Sequence, residues 1–444
     1  MTMFYRLTCY LMFSVFLTSC GASQEKETDT IKRFTLAVIP DTQFMLDYRR
    51  QKAEGFPIDS SELFIEQMQY LADHSVAQGG DIVFATAVGD IWQHTDTKMD
   101  AEHAARNLLA LPYSVSAQEA KIREKIQTFE VPLAKKGFDI LFEAGLPFGV
   151  APGNHDYDSV WRDSRFPTDF SRIDELKDER GKIVYYDPAV MGMLHVGGLG
   201  NFNSVFGADT DYYRTDQNYL SNFNGGANSA QTFSAGGYQF LHLSLEMQAG
   251  EAVLQWAQSV LDRHPGLPTI LNTHDYLDAR GRRRPLAFID FARVDPSAHK
   301  HPEALWQEFI RINSQVFLVL SGHHAGQSYQ VDHNQAGYAV HQVMADYQNR
   351  GRVALDEEGK PLTGIGDGWL RLMQFDLDAD EPNIHVRTYS THYKQFSSDH
   401  ELYTAWYHDL EQPDQTEAQF LAGDDFSIDL SGFHQRFGRA HSPQ

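Results

Sequence analysis

Ala151-Pro152-Gly153-Asn154-His155-Asp156 closes an apolar run, residues 146–150, and this junction decides the fold. The run has the length and composition of a buried strand. Pro-Gly forces a turn, and Asn, His and Asp follow at once. Such a turn projects its side chains from the C-terminal edge of the strand, where open α/β sheets place their ligands. An amide oxygen, an imidazole and a carboxylate side by side suit metal ligation and proton transfer. The plain alternative is a polar turn that caps a following helix.

Working outward, the same pattern repeats. Residues 34–39 form an apolar run that ends at Pro40 and Asp41-Thr42-Gln43. Ser60 or Ser61 caps a predicted helix running to His74, with Leu63, Met68 and Leu71 on one face. Residues 81–88 are a second strand, ending at Gly89-Asp90, and 101–111 and 116–136 read as helical. Strand, helix, strand, helix, strand predicts a parallel sheet that delivers Asp41, Asp90 and Asn154 to one edge. From 157 to 229 the pattern lapses into a stretch rich in Gly, Asn, Asp and aromatics, read as an inserted cap or loop region. It either walls the pocket or packs its aromatics onto the body. Gly236-Gly237 then joins 230–234 to 238–245 as a hairpin. A helix over 251–264 precedes a strand over 268–271 that ends at Thr273-His274-Asp275. A helix over 302–313 precedes a strand over 316–320 that ends at Ser321-Gly322-His323-His324. Alternating stretches at 328–331, 338–344, 369–377 and 384–389 suggest antiparallel strands. Beyond Ser398 the chain is acidic and weakly patterned, and 399–444 reads as a C-terminal tail.

In order, the strand ends spell Asp-x-Gln, Gly-Asp, Gly-Asn-His-Asp, His and Gly-His-His. The set resembles the calcineurin-like metallophosphoesterases, whose usual pattern is Asp-x-His, Gly-Asp, Gly-Asn-His-(Asp/Glu), His and Gly-His-x-His. The likeness covers roughly 34–389, with 34–398 as the implied domain. It implies an α/β fold, a two-sheet sandwich flanked by helices, and two divalent metal ions drawn from Mn, Zn, Fe and Mg. Carried over residue by residue, Asp41 binds the first ion with Gln43 beside it, and Asp90 bridges both. Asn154, His274 and His323 bind the second. His155 meets the phosphoryl group or protonates the leaving oxygen, and Asp156 orients its ring. The implied activity is hydrolysis of phosphomonoesters or phosphodiesters of a small substrate by a metal-activated water.

Two positions depart from the pattern. Gln43 stands where the family usually has His, and Ala325 where the second His of Gly-His-x-His belongs. Both changes fall on the first ion and leave an oxygen-rich site that favours Mn or Mg. His324 is one residue early and reads as a pocket residue, because neighbours on a strand face opposite ways. His94, four residues after Asp90, is a second possible pocket residue. The departures also allow a different class of function, a membrane-tethered binding or scaffold protein with a degenerate metal site.

Composition sets outer limits. With 444 residues, 42% of them apolar, the chain can bury a large core. A formal net charge of −23 argues against a nucleic-acid surface. Arg6 precedes an apolar stretch, 7–17, of signal-peptide proportions, so 1–19 reads as a signal peptide. Leu17-Thr18-Ser19-Cys20 resembles the lipobox of bacterial lipoproteins, which implies lipidation at Cys20 and attachment to a membrane. Residues 20–33 then form the lipidated start and tether. Gly21 and Ala22 carry no retention Asp, so the expected location is the outer membrane, facing the periplasm.

Overall fold

A computed structural model describes residues 32–111, 117–177, 181, 183 and 186–438. The signal peptide, Cys20 and most of the tether lie outside the described residues. Three strands, β1 (Arg33–Ile39), β2 (Ile82–Ala87) and β3 (Phe148–Val150), pair in parallel, as the alternating pattern predicts. β4 (Ser159–Arg162) and β5 (Leu194–Gly197) form a separate antiparallel pair within the 157–229 region.

On the far side of β1 the first sheet continues antiparallel. It runs through β13 (Trp369–Asp376) and β14 (Asn383–Ser390), with β15 (Gln395–Phe396) and β16 (Asp425–Asp429) both on β14. The second sheet contains β6 (Tyr219–Phe223), β7 (Asn228–Ala235), β8 (Tyr238–Ser244), β9 (Thr269–Asn272), β10 (Val316–Ser321), β11 (Gly326–His333) and β12 (Ala339–Asp346). Its spatial order is β11-β12-β10-β9-β8-β7-β6. The β8, β9, β10 and β12 contacts are parallel, and the outer pairings antiparallel. Register Ala235↔Tyr238 leaves Gly236 and Gly237 alone in the hairpin turn, at φ 58° and 76°. Two successive positive φ values are the geometry that glycine takes without a steric cost.

The two sheets stack face to face. Phe34, Leu36 and Val38 of β1 enter the core between them, where Phe34 stacks on Phe375 at 4.7 Å and meets Phe240 edge-on at 5.6 Å. Ala37 and Ile39 face the opposite way, into a layer formed by α1 (Ser61–Asp73) and α2 (Val131–Glu143). Burial on both faces explains why this strand reads as a continuous apolar run rather than an alternation. Helix α3 (Glu251–Arg263) covers the outer face of the second sheet through Val253, Leu254, Ala257, Val260 and Leu261. The architecture is mixed α/β, two principal mixed sheets flanked by helices.

Three stretches differ from the sequence reading, and in a fourth, 157–229, the aromatics pack onto the body. Only Ala101–Ala105 is helical in the expected 101–111 segment, and the expected 302–313 helix passes from Pro302–Leu305 into a π-turn at Trp306–Ile310. In the 157–229 region, Phe202, Phe206, Tyr212 and Tyr213 join the core around Phe138 and Phe148. The stretch after Ser398 is no loose tail across 399–438. It forms α4 (Tyr403–Glu411) and β16, and Tyr403 and Tyr407 are buried against Trp369. Arg350 lies fully buried in this aromatic packing and holds Glu411 through bonds of 2.7 and 2.9 Å. Weak local periodicity hid the segment, because its anchors are long-range aromatic and ionic contacts.

Removing one member of a buried ion pair strands the other charge, at a cost of about 3–5 kcal/mol. Glu411→Ala should lower the unfolding free energy by that amount, read as a lower urea midpoint at unchanged slope, and an unchanged midpoint would mean that the pair does not anchor α4.

Candidate metal centre

The turn at Gly153-Asn154-His155-Asp156 is held shut by Asp156. Its carboxylate accepts from the backbone N–H of Gly153 and of Ile91, both at 2.8 Å. This lashes the end of β3 to the end of β2 and presses the turn against Asp90. A Cβ on Gly153 would come within 2.2 Å of Asp90 Oδ1, so only glycine fits there. The backbone N–H of His155 donates to the same Oδ1 at 2.8 Å.

Asp90 gathers the rest. Its φ is 53° and that of His323 is 73°, a left-handed conformation that costs a non-glycine residue energy and is found mainly at functional sites. Asp90 Oδ2 lies 3.1 Å from His274 Nε2 and 4.0 Å from His155 Nε2, and accepts from Gln43 Nε2 at 3.3 Å. His274 Nδ1 donates to the Val88 carbonyl at 2.8 Å, which leaves Nε2 as its ligand atom. That Nε2 is 3.1 Å from His323 Nδ1 and 3.8 Å from Asp41 Oδ2. The His323 backbone N–H donates to both Asp41 oxygens at 3.2 Å. Asp90, His274 and His323 thus offer ligand atoms within 4.8 Å of one another, all buried.

Three further atoms support a cation here. Asn154 Oδ1, Gln43 Oε1 and His323 Nε2 are buried and have no hydrogen-bond partner among the described residues. Buried polar groups are rarely left in that state, and a ligand is a standard reason. The electrostatics agree. Burial pushes the Asp90 carboxyl up, but the neighbouring His274 and His155 outweigh it and hold it well below the usual carboxylate range. Burial pulls His274 down, yet Asp90 and Asp41 lift its imidazolium to about 10. Asp41 is raised by burial and then by Asp346, and His323 is lowered by burial to about 3. A protonated His274 offsets the charge of the carboxylates around it.

The structure therefore brings Asp41, Gln43, Asp90, His155, His274 and His323 together, with Asn154 in the adjoining turn. Asp156 differs from its expected role. Its oxygens serve the turn, and the ring of His155 is oriented instead by the Gln93 carbonyl, which accepts from Nδ1 at 2.6 Å. Burial and then the Asp90 charge raise the Asp156 carboxyl to about 7. His324 turns to Asp275 at 3.1 Å. His94 is occupied by Glu130 at 2.6 Å in a buried group with Asp47.

Sequence reading missed Asp346 and Gln348. Asp346 ends β12, fully buried, with burial lifting its carboxyl to about 6. It accepts from Gln348 Nε2 at 2.8 Å, and Gln348 Oε1 accepts in turn from Gln43. In the β11–β12 register Asp346 pairs with Gly326, the neighbour of Ala325. The only sequence signal was a carboxylate at the end of an apolar stretch, as at Asp41 and Asp90.

The raised His274 value has a consequence for stability. An ordinary histidine titrates near 6.5, so the stabilisation from this charge is complete below about pH 6.5 and is lost as pH rises through about 10. Chelator-treated protein should lose thermal stability between about pH 7 and pH 10, and His274→Ala should flatten that slope. An equal slope in both proteins would remove His274 as its source.

No family model matches the chain. Over 269 residues it is 26% identical to the Bacillus subtilis protein described as uncharacterized protein YvnB, a stretch covering 59% of this chain and 16% of that much longer relative. A likeness at this level is a distant relationship; what this chain itself shows is a mixed α/β fold with buried His/Asp groups able to hold metal.

Proposed function

We propose that the chain is a metal-dependent phosphoesterase, acting on a small phosphomonoester or phosphodiester. The observation that carries this reading is the buried Asp90–His274–His323 group, flanked by Asp41 and the unpaired Asn154 Oδ1 and Gln43 Oε1. Divalent ions bound there would supply Lewis-acid activation and charge for the oxygens of an in-line displacement. Asp90, with one oxygen near His274 and the other on the His155 backbone, is placed to bridge two ions. Asn154, His274 and His323 make the nitrogen-rich side. Asp41 and Gln43, joined by Asp346 and Gln348, make an oxygen-rich side suited to Mn or Mg.

The role of His155 follows from its hydrogen bond. Nδ1 donates to the Gln93 carbonyl, so Nε2 is the ring atom left to face a leaving oxygen, and it would hand over a proton from the imidazolium form, leaving the neutral Nδ1–H ring. Its side chain is 29% exposed, whereas those of Asp90 and His274 are at most 2% exposed, so substrate can reach it. The missing donor at Ala325 favours a second reading, a tethered binding protein with a worn site.

The discriminating experiment uses the chain without its first nineteen residues. Supplied with Mn, Zn or Fe, it should hydrolyse an aryl phosphomonoester or diester. His155→Ala should lower kcat by about 10²–10⁴-fold at unchanged metal content. Asp346→Asn should lose bound Mn while keeping the nitrogen-side ion. At most one ion at this centre, counted as the metal lost on Asp90→Asn/His274→Ala, with no turnover would favour the tethered binding protein.

We also propose a lipoprotein anchored through Cys20 in the outer membrane and facing the periplasm. Cys20→Ser should shift the protein from the membrane to the soluble fraction, and retention in membranes would count against the anchor.

A further inference from the structure

Away from this centre, His103, His195 and Asp295 each present a ligand atom within 4.8 Å of the other two, and all three are buried. They come from three distant segments: the short helix Ala101–Ala105, strand β5, and the turn that follows Phe291–Val294. Each histidine has a carboxylate behind it. His103 Nδ1 lies 2.7 Å from Asp100 Oδ2, and His195 Nε2 lies 2.7 Å from Asp163 Oδ2. Carboxylates in that position orient metal-binding imidazoles and raise their basicity. On the other side of its ring, His103 Nε2 faces Asp295 Oδ2 at 3.8 Å.

A third histidine, His299, lies in the same turn as Asp295. The backbone N–H of His299 donates to the Asp295 carbonyl at 3.1 Å, which folds the turn back on itself. His299 Nδ1 is buried and has no hydrogen-bond partner among the described residues. Its ring lies within electrostatic reach of Asp295, His195 and His103. The surroundings are aromatic: Trp161 stacks on His195 at 4.3 Å and 4°, and meets His103 edge-on at 5.4 Å.

We propose that His103, His195 and Asp295, with His299 as the fourth donor, form a separate structural site for a divalent cation of the zinc class. Three nitrogens and one oxygen match the number and type of ligands zinc takes in closed tetrahedral sites, and imidazole nitrogen disfavours Mg and Ca. Arg106 grips Asp295 at 2.6 and 2.8 Å. A carboxylate has about four lone-pair sites, so this pairing leaves the oxygens able to take a metal as well. The backbone is shaped for the cluster, since a Cβ on Gly197 would come within 2.0 Å of Asp100 Oδ2.

Such an ion would clamp β5 and the 101–105 helix to the 291–299 turn. That turn is tied to the first centre through Gln248. Its amide nitrogen donates to Asp275 Oδ2 and to the Ile289 carbonyl, both at 3.0 Å, and its amide oxygen accepts from Ala292 at 3.1 Å. Asp275 follows His274 and holds His324. The site thus steadies a wall of the first centre without entering it, and it stands whether or not the phosphoester reading is right.

The test is metal analysis of the full chain carrying Asp90→Asn and His274→Ala, which disable the first centre. After dialysis against a weak chelator this protein should keep about one zinc per chain, and His103→Ala or His195→Ala added to it should remove that zinc. Asp100→Asn should weaken zinc binding about 10–100-fold. Cobalt(II) should give the intense visible bands of four-coordinate geometry, lost on His299→Ala. Zinc absent from the Asp90→Asn/His274→Ala protein, or retained equally by the His103 and His195 variants, overturns the proposal. If those variants fail to fold, the cobalt spectrum with and without His299 decides it, and a six-coordinate spectrum counts against the site.

Discussion

The contact between Asp90 and His274 is the constraint on which the rest depends. A carboxylate buried to this degree is untenable alone, and its desolvation must be offset by nearby positive charge. His274 answers it at 3.1 Å, from a strand of the other sheet. The two sheets therefore meet through an ionic contact at one edge as well as through phenylalanines between their faces. The same carboxylate receives the His155 backbone N–H and the Gln43 amide, so β1, β2, β3 and β9 converge on a single side chain. The left-handed backbone at Asp90 is the cost of turning that side chain inward at a strand end.

Around this contact the centre divides by chemistry. His274 and His323 face one side, with Asn154 in the adjacent turn. Gln43, Gln348 and Asp346 make up the other, joined by amide hydrogen bonds rather than imidazoles, with Asp41 near Asp346. Burial, and after it repulsion from neighbouring carboxylates, makes Asp41 and Asp346 hold their protons more tightly than exposed acids do. A bound cation would offset both effects. Asp346 itself comes from β12, a strand that the motif pattern does not include, and pairs there with Gly326 next to Ala325.

Much of the layout was legible from local pattern. Doubly buried strands announce themselves as continuous apolar runs, and their polar ends mark one sheet edge, so Asp41, Asp90, Asn154, His274 and His323 could be picked out before any contact was known. The Gly236-Gly237 hairpin was legible because two consecutive positive φ angles leave a sequence signature. Asp156 was misread in its partner: a carboxylate next to an imidazole suggests a pair, yet neighbouring side chains on a tight turn diverge, and its oxygens found backbone N–H groups instead. Asp346, Gln348 and the His103–His195–Asp295 group left no periodic or spaced signal, because their partners are separated by long stretches of chain.

The sequence by itself determined the order of strands and helices, the sheet edge that carries the polar groups, and the residue types offered there. These are local properties, written in hydrophobic periodicity and in turn residues. Tertiary structure decided which groups meet: the second sheet supplying His274 to Asp90, the chain after Ser398 locking onto Arg350, and β12 bringing Asp346 toward Asp41. Such pairings depend on burial and on charge at distances of a few ångströms, and neither is encoded by neighbours along the chain.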